Sequence, residues 1–165
     1  LIESRFRNNQ KEDVSMLEVK KILYPVDFFE SSDKVLPYVK LMAEKLRAKI
    51  ELIHVVRGPA DFVGFEMGTA WYSSFEGELL EGGQKAMYRF VEEKFAGLDV
   101  DTTVAVGDVA EEIIKYAKNS GIDMIIIGTH GRKGLEKIMF GSVAAGVVKG
   151  AHCPVLTVNP HKVGK

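Results

Sequence analysis

The stretch from Ile125 to Val148, IIIGTHGRKGLEKIMFGSVAAGVV, decides how the chain folds. It opens within an apolar run, Met124 to Ile127, too short for a helix and rich in isoleucine, which predicts a buried strand. The run stops at Gly128, and glycines recur at Gly131, Gly134 and Gly141. From Ser142 the residues are small and helically spaced, so the layout is strand, glycine-rich loop, helix start.

Such a loop suits an anion. Glycines tolerate positive φ and let backbone N–H groups approach a ligand with no Cβ between them. Successive N–H groups can form a concave nest for phosphate oxygens. The helix that follows adds unpaired N–H groups and the positive end of its dipole. Ser142 can cap that helix or turn its hydroxyl to a phosphate, and Arg132, Lys133 and Lys137 bring positive charge. The alternative is a glycine-rich surface loop with no ligand. Neither G-x-x-x-x-G-K-[ST] nor a G-x-G-x-x-G after the first strand occurs, so the two commonest phosphate loops are absent.

The full spacing is more specific: Gly128, two residues, Gly131, nine residues, Gly141, then Ser142. This resembles the ATP-binding signature of the universal stress protein family. The family's usual opening is matched by KKILYPVDF, residues 20–28, and the resemblance runs from Val19 to Asn159.

Working outward, the pattern repeats. KILYPV (21–26) predicts a first strand, after which Ser31 or Ser32 would cap a helix whose buried face is Val35, Val39, Met42, Ala43 and Leu46. IELIHVV (50–56) predicts a second strand. Residues 59–77 are the least regular part, with Phe62, Phe65, Trp71, Tyr72 and Phe75 among glycines and serines. They would cover a ligand, meet a partner, or pack on the domain's own surface. A second helix is predicted over 79–98, weakened in its first turns by Gly82-Gly83. VDTTVAV (100–106) alternates as a third strand. Asp108 would cap a helix over 110–119 with Ile113, Ile114 and Ala117 inward, and Gly121 would stop it. After the fourth strand and the helix 142–149, PVLTV predicts a short fifth strand from Pro154 to Val158. Strands alternating with helices imply an α/β fold, a parallel sheet covered on both faces. The resemblance implies an open five-stranded parallel sheet of order 3-2-1-4-5, Rossmann-like. The division expected is a flexible extension over 1–18, the domain over 19–160 and a tail over 161–165.

Composition narrows the function classes. A length of 165 residues is enough for one domain with a sizeable core. A net charge of −1 gives no broad affinity for nucleic acid or an anionic membrane. Cys153 is the one cysteine, so no internal disulfide forms, and no apolar run approaches the length of a membrane span. The first residues, LIESRFRNNQKED, are polar and charged and do not read as a signal peptide, so a cytoplasmic location is expected.

In open parallel sheets ligands bind beyond the carboxyl ends of the strands, where the strand order reverses. The order implied by the resemblance puts that point between strands one and four, where Asp27 and Gly128 stand. Further roles are carried by the resemblance. Asp27 matches the aspartate that hydrogen-bonds the ribose hydroxyls. Pro25, Val26 and Val55 match positions lining the adenine pocket, where backbone groups read the base. Gly128, His130, Gly131, Gly141, Ser142 and Val143 match the phosphate-contacting stretch. The ligand implied is ATP, or ADP or AMP, with Mg²⁺ or Mn²⁺ held by the phosphates rather than by protein groups. Asp27 as a turn residue, Val55 as core and His130 as a loop histidine without a role are the plainer readings. A valine, Val109, stands where many members have proline at a helix start.

His54, inside an apolar strand, reads as a hydrogen-bonded core residue, and His152-Cys153 has no second pair at metal spacing. Glu92, Glu93, Glu111 and Glu112 read as solvated charges on helix faces. The reading favoured is an ATP-binding stress or signalling switch with slow or no hydrolysis. An adenylyl-transfer enzyme of the same fold group is the second, but DFFESSD (27–33) lacks the glycines such an enzyme carries after strand one. A nucleotide-free structural dimer and a phosphorylated receiver domain are further alternatives. The resemblance also implies a homodimer through the segment from Pro154 to Val158, with Val155, Leu156 and Val158 at the interface.

Overall fold

The computed structural model describes residues 18–58, 69–129 and 141–163, with only the backbone at 31 and 69–73. Within it β1 (Lys21–Pro25) and β4 (Met124–Gly128) lie side by side although far apart in sequence. Both show the same burial, three fully covered residues between two half-covered ends. That is what a short, continuous apolar run does in the middle of a sheet covered on both faces.

The rest follows in chain order: α1 (Glu30–Leu46), β2 (Lys49–Val56), α2 (Thr69–Lys94), β3 (Val100–Val106), α3 (Val109–Asn119), α4 (Ser142–Gly150) after β4, and β5 (Val155–Val158). The five strands form one parallel sheet of order β3-β2-β1-β4-β5. Neighbouring side chains on each strand separate into two cores. Ile22, Tyr24, Leu52 and Ile126 face Val35 and Val39 of α1 and Met87 and Phe90 of α2. Leu23, Ile53, Ile125 and Ile127 face Ile113 and Ala117 of α3 and Ala144 and Val147 of α4. Among the described residues no helix is long and apolar enough to cross a membrane.

Among the described residues one charged side chain sits inside. Glu51 is buried on β2, with Oε1 2.9 Å from Lys21 Nζ and Oε2 accepting from the Tyr116 hydroxyl at 2.9 Å. Both carboxylate oxygens therefore have a donor, the condition for keeping such a group out of water. The carboxylate partner raises the pKa of Lys21, first by hydrogen bonding and then by charge.

Several expectations need correction. α2 starts at Thr69 and ends at Lys94, so residues 69–77 are helical and Gly82-Gly83 lie well inside the helix. Gly83 marks a close approach: a Cβ there would stand 2.7 Å from Val104 Cγ1 and 3.3 Å from Val56 Cγ2. Phe62 and Phe65 lie outside the described residues, as do the side chains of Trp71 and Tyr72. Leu46 is exposed at 38% because α1 is ending there, with Arg47 in the left-handed region at φ 54°. Neither Ser31 nor Ser32 caps α1; the N-cap position is Phe29, and both serines stand inside the first turn. Asp108 does cap α3, accepting from the Glu111 N–H at 3.0 Å, and Gly121 closes it at φ 63°. Glu112 is half-covered rather than solvated, because its side chain lies against Gly107 and pairs with Lys115.

Candidate functional site

The crossover after β1 leads to one face of the sheet, through α1, and that after β4 leads to the other, through α4. The carboxyl ends of two adjacent strands thus part in opposite directions and leave a crevice between them. The sequence places Asp27 just past β1, and Gly128 and Thr129 at the end of β4.

Val55 brings a backbone donor and acceptor to this crevice. The Ile53 carbonyl accepts the Val26 N–H at 2.8 Å, so the backbone groups of Ile53 face β1. The Val56 carbonyl accepts the Gly107 N–H at 3.0 Å, so those of Val56 face β3. Backbone groups alternate along a strand with a period of two residues. Val55 therefore faces the β1 side, but β1 pairs with β2 only as far as Pro25↔Ile53. The N–H and C=O of Val55 look past the end of β1, while its side chain is buried in the core that α3 and α4 cover.

Val26 is held by the protein's own bonds. Its N–H is used by Ile53, its carbonyl takes His54 Nδ1 at 2.7 Å, and its side chain is buried. It shapes the crevice floor and has no free N–H with which to read a base. His54 is hydrogen-bonded as its setting predicts, but half-buried rather than in the core. A carbonyl only accepts, so Nδ1 carries the proton. Burial pushes its pKa below the ordinary 6.5, against the smaller effects of the Val26 carbonyl and Asp27. The Phe28 ring lies 4.3 Å from the His54 ring and 5.7 Å from Phe90, centre to centre. Phe28 holds this place with φ 59°, a left-handed backbone that a bulky residue rarely adopts.

Asp27 follows a turn. Its Oδ1 accepts the Phe29 N–H at 3.0 Å and also the Ser32 hydroxyl. Ser32 is buried, and its carbonyl takes the Tyr24 hydroxyl at 3.0 Å. Sequence reasoning missed Ser32 as a partner of Asp27. The signal was present in DFFESS, where an acid precedes a helix start, but the serine's own capping potential drew the reading elsewhere.

Across the crevice the chain leaves β4 at Thr129 and returns at Gly141, whose N–H donates to the Thr129 carbonyl at 2.7 Å. Gly141 is the N-cap of α4 and Ser142 its first residue, with no side-chain cap. A Cβ on Gly141 would stand 3.1 Å from the Thr129 oxygen. The chain's own closure thus uses the Gly141 amide and leaves little room for a larger residue there. The N–H groups of Ser142, Val143 and Ala144 have no acceptor within an α-helix. The Ser142 side chain is exposed and Val143 half-covered. Of the other expected residues, Pro25 ends β1 and Gly128 ends β4 opposite Val158. His130 and Gly131, with Arg132, Lys133, Gly134 and Lys137, lie outside the described residues.

A different concavity, an open groove of about 300 Å³, lies between α1 and α2 and is lined by Phe28, Phe29, Asp33, Arg89, Phe90 and Lys94 among others. Its charges are partly paired, with Lys94 Nζ 3.0 Å from Asp33 Oδ2. Among the described residues no group of three or more His, Cys, Asp or Glu side chains could hold a metal ion. His152 is exposed, and burial raises the pKa of the half-covered Cys153 thiol.

Comparison with known proteins identifies relatives of this fold. Universal stress protein MJ0531 of Methanocaldococcus jannaschii is 37% identical over 147 residues, covering 87% of this chain and 84% of its own. Universal stress protein MJ0577 of the same organism is 34% identical over 152 residues, covering 84% of this chain and 94% of its own. A solved structure of MJ0577 superposes with a TM-score of 0.73, over 86% of this chain and 96% of that one. The universal stress protein from Archaeoglobus fulgidus solved in complex with dAMP shares the fold at 18% identity and a TM-score of 0.51, over 87% of this chain and all of its own. Residues 18–159 match the sequence model of the Universal stress protein family, and the chain belongs to that family.

Proposed function

We propose that this protein binds ATP in the crevice between the ends of β1 and β4 and acts as a nucleotide-dependent switch. The observation that carries the reading is the meeting, from separate parts of the chain, of three kinds of group. Val55 supplies a backbone donor and acceptor suited to a base edge. Asp27 supplies a carboxylate suited to ribose hydroxyls. The first turn of α4 supplies N–H groups suited to phosphate. The site comprises Pro25, Val26, Asp27 and Val55 at the nucleoside end, and Gly128, His130, Gly131, Gly141, Ser142 and Val143 at the phosphate end. Val26 and Gly141 serve it by shaping the backbone. The dAMP complex of the Archaeoglobus fulgidus protein with this fold supports an adenine nucleotide as the ligand class.

A divalent ion would ride on the phosphates and water. The fit is consistent: of the described residues proposed for the site, Asp27 alone carries a carboxylate, and it belongs to the ribose end. Fast hydrolysis needs a positioned group that orients water at the γ-phosphate. None of the residues assigned to the phosphate end is a carboxylate, and the loop's one acid, Glu136, has no role in this reading, so turnover is slow or absent. The bound state, rather than product, would then be the signal. The protein also pairs as a homodimer along β5 in this proposal.

Calorimetric titration with Mg-ATP tests the reading, with phosphate release followed in the same samples. Gly131→Val removes most binding. Asp27→Ala weakens it by on the order of 1–3 kcal/mol, the scale of charge-assisted hydrogen bonds. Arg132→Ala and Lys133→Ala matter less, since the charge of long, flexible side chains is readily screened by salt. Unchanged binding in Gly131→Val rejects the phosphate site. Dominance of the two basic residues rejects recognition by backbone.

A further inference from the structure

We infer that Ser32 is a positioning residue for ribose recognition: it pins one oxygen of the Asp27 carboxylate, so that the ribose diol is received by the other oxygen alone. This rests on the nucleotide reading above. A carboxylate oxygen has two lone-pair sites. On Oδ1 both are taken, one by the Phe29 N–H at 3.0 Å and one by the Ser32 hydroxyl. Among the described residues nothing donates to Oδ2, which leaves it both sites, enough for two hydroxyl donors on neighbouring ribose carbons.

The donors are themselves held. Ser32 is 6% exposed, and its carbonyl is fixed by the Tyr24 hydroxyl, which is buried in turn. The Phe29 N–H is aimed by the left-handed turn at Phe28, whose ring rests against His54 and Phe90. Without the serine hydroxyl, a single backbone donor would remain on Oδ1, and the carboxylate could rotate about χ2, a broad torsion for aspartate. Rotation would spread the acceptor sites over several directions and weaken binding only for ligands that use them. A bond that merely starts α1 would behave differently, since its loss would affect every nucleotide alike.

Mg-ATP and its 2′,3′-dideoxy analogue, which lacks both hydroxyls, separate these roles when titrated against the unmodified protein, Asp27→Ala, Ser32→Ala and Ser32→Thr. The unmodified protein prefers ATP by about tenfold or more, the ratio that corresponds to one good hydrogen bond set. Ser32→Ala lowers that preference by at least about threefold, on the same conversion, through ATP alone, and the dideoxy analogue binds as before. Ser32→Thr, which keeps the hydroxyl, restores the preference. Adding Ser32→Ala to Asp27→Ala changes nothing further. Equal loss for both ligands in Ser32→Ala overturns the inference, as does a preference that survives there while Asp27→Ala abolishes it. No preference in the unmodified protein overturns the ribose reading itself and this inference with it. Should Ser32→Ala not fold, Ser32→Cys, of similar shape but with a weak donor, carries the same comparison.

Discussion

At the scale of single residues, the turn after β1 ties polar chemistry to packing. Asp27 is held by Phe29 and Ser32, and Val26 is held by Ile53 and His54. His54 makes this turn sensitive to pH. Its pKa is lowered in the folded state, so the unfolded chain binds the proton more readily. The stability that neutral His54 contributes is complete above 6.5, its ordinary value, and is lost as pH falls below it. Asp27 opposes this loss, and so does the Val26 carbonyl. Thermal melting of the unmodified protein should therefore shift downward as pH drops through and below 6.5. In His54→Asn, whose amide can still donate to Val26 but does not titrate, the shift should be smaller. An equal slope in both proteins would place the pH dependence elsewhere.

At the scale of elements, adjacent glycines on α2 have opposite requirements. A Cβ on Gly82 meets nothing within 4 Å, whereas one on Gly83 meets Val104 and Val56 of the sheet. Gly82→Ala should stabilise by roughly 0.5–1 kcal/mol, the usual gain in a helix interior. Gly83→Ala should destabilise by roughly 1–3 kcal/mol through overpacking, which outweighs the same gain. Urea denaturation of the two variants checks the opposite signs. The same pair shows what was legible in the sequence. Met124–Gly128 was readable as a strand because its apolar run is bounded by glycine, and α3 because Asp108 and Gly121 mark its ends. The start of α2 was not, because Gly77, Gly82 and Gly83 resemble punctuation when the reason for one of them lies on another element. The part Gly141 takes in closing the chain onto Thr129 was not legible either. That its N–H returns to Thr129 depends on where a distant part of the chain comes back, which spacing does not encode.

At the scale of the molecule, β5 is an edge strand, and a parallel sheet exposes unpaired backbone groups there. Leu156 is 37% exposed on it, and Val148 of α4 is 47% exposed. Val158, expected at a dimer interface, is buried in the protein's own core. If β5 pairs with its copy about a two-fold axis, sedimentation at micromolar concentration shows a dimer. Leu156→Lys should convert it to monomer, and a monomeric unmodified protein would rule out the pairing. The position of the nucleotide is the claim on which the rest depends, and backbone amide NMR tests it most directly. On addition of Mg-ATP the largest shifts are predicted at Val55, Asp27, Ser142, Val143 and Ala144, from both sides of the β1/β4 crevice. Shifts confined to Phe29, Arg89, Phe90 and Lys94, around the groove between α1 and α2, or no saturable shifts at all, would contradict it.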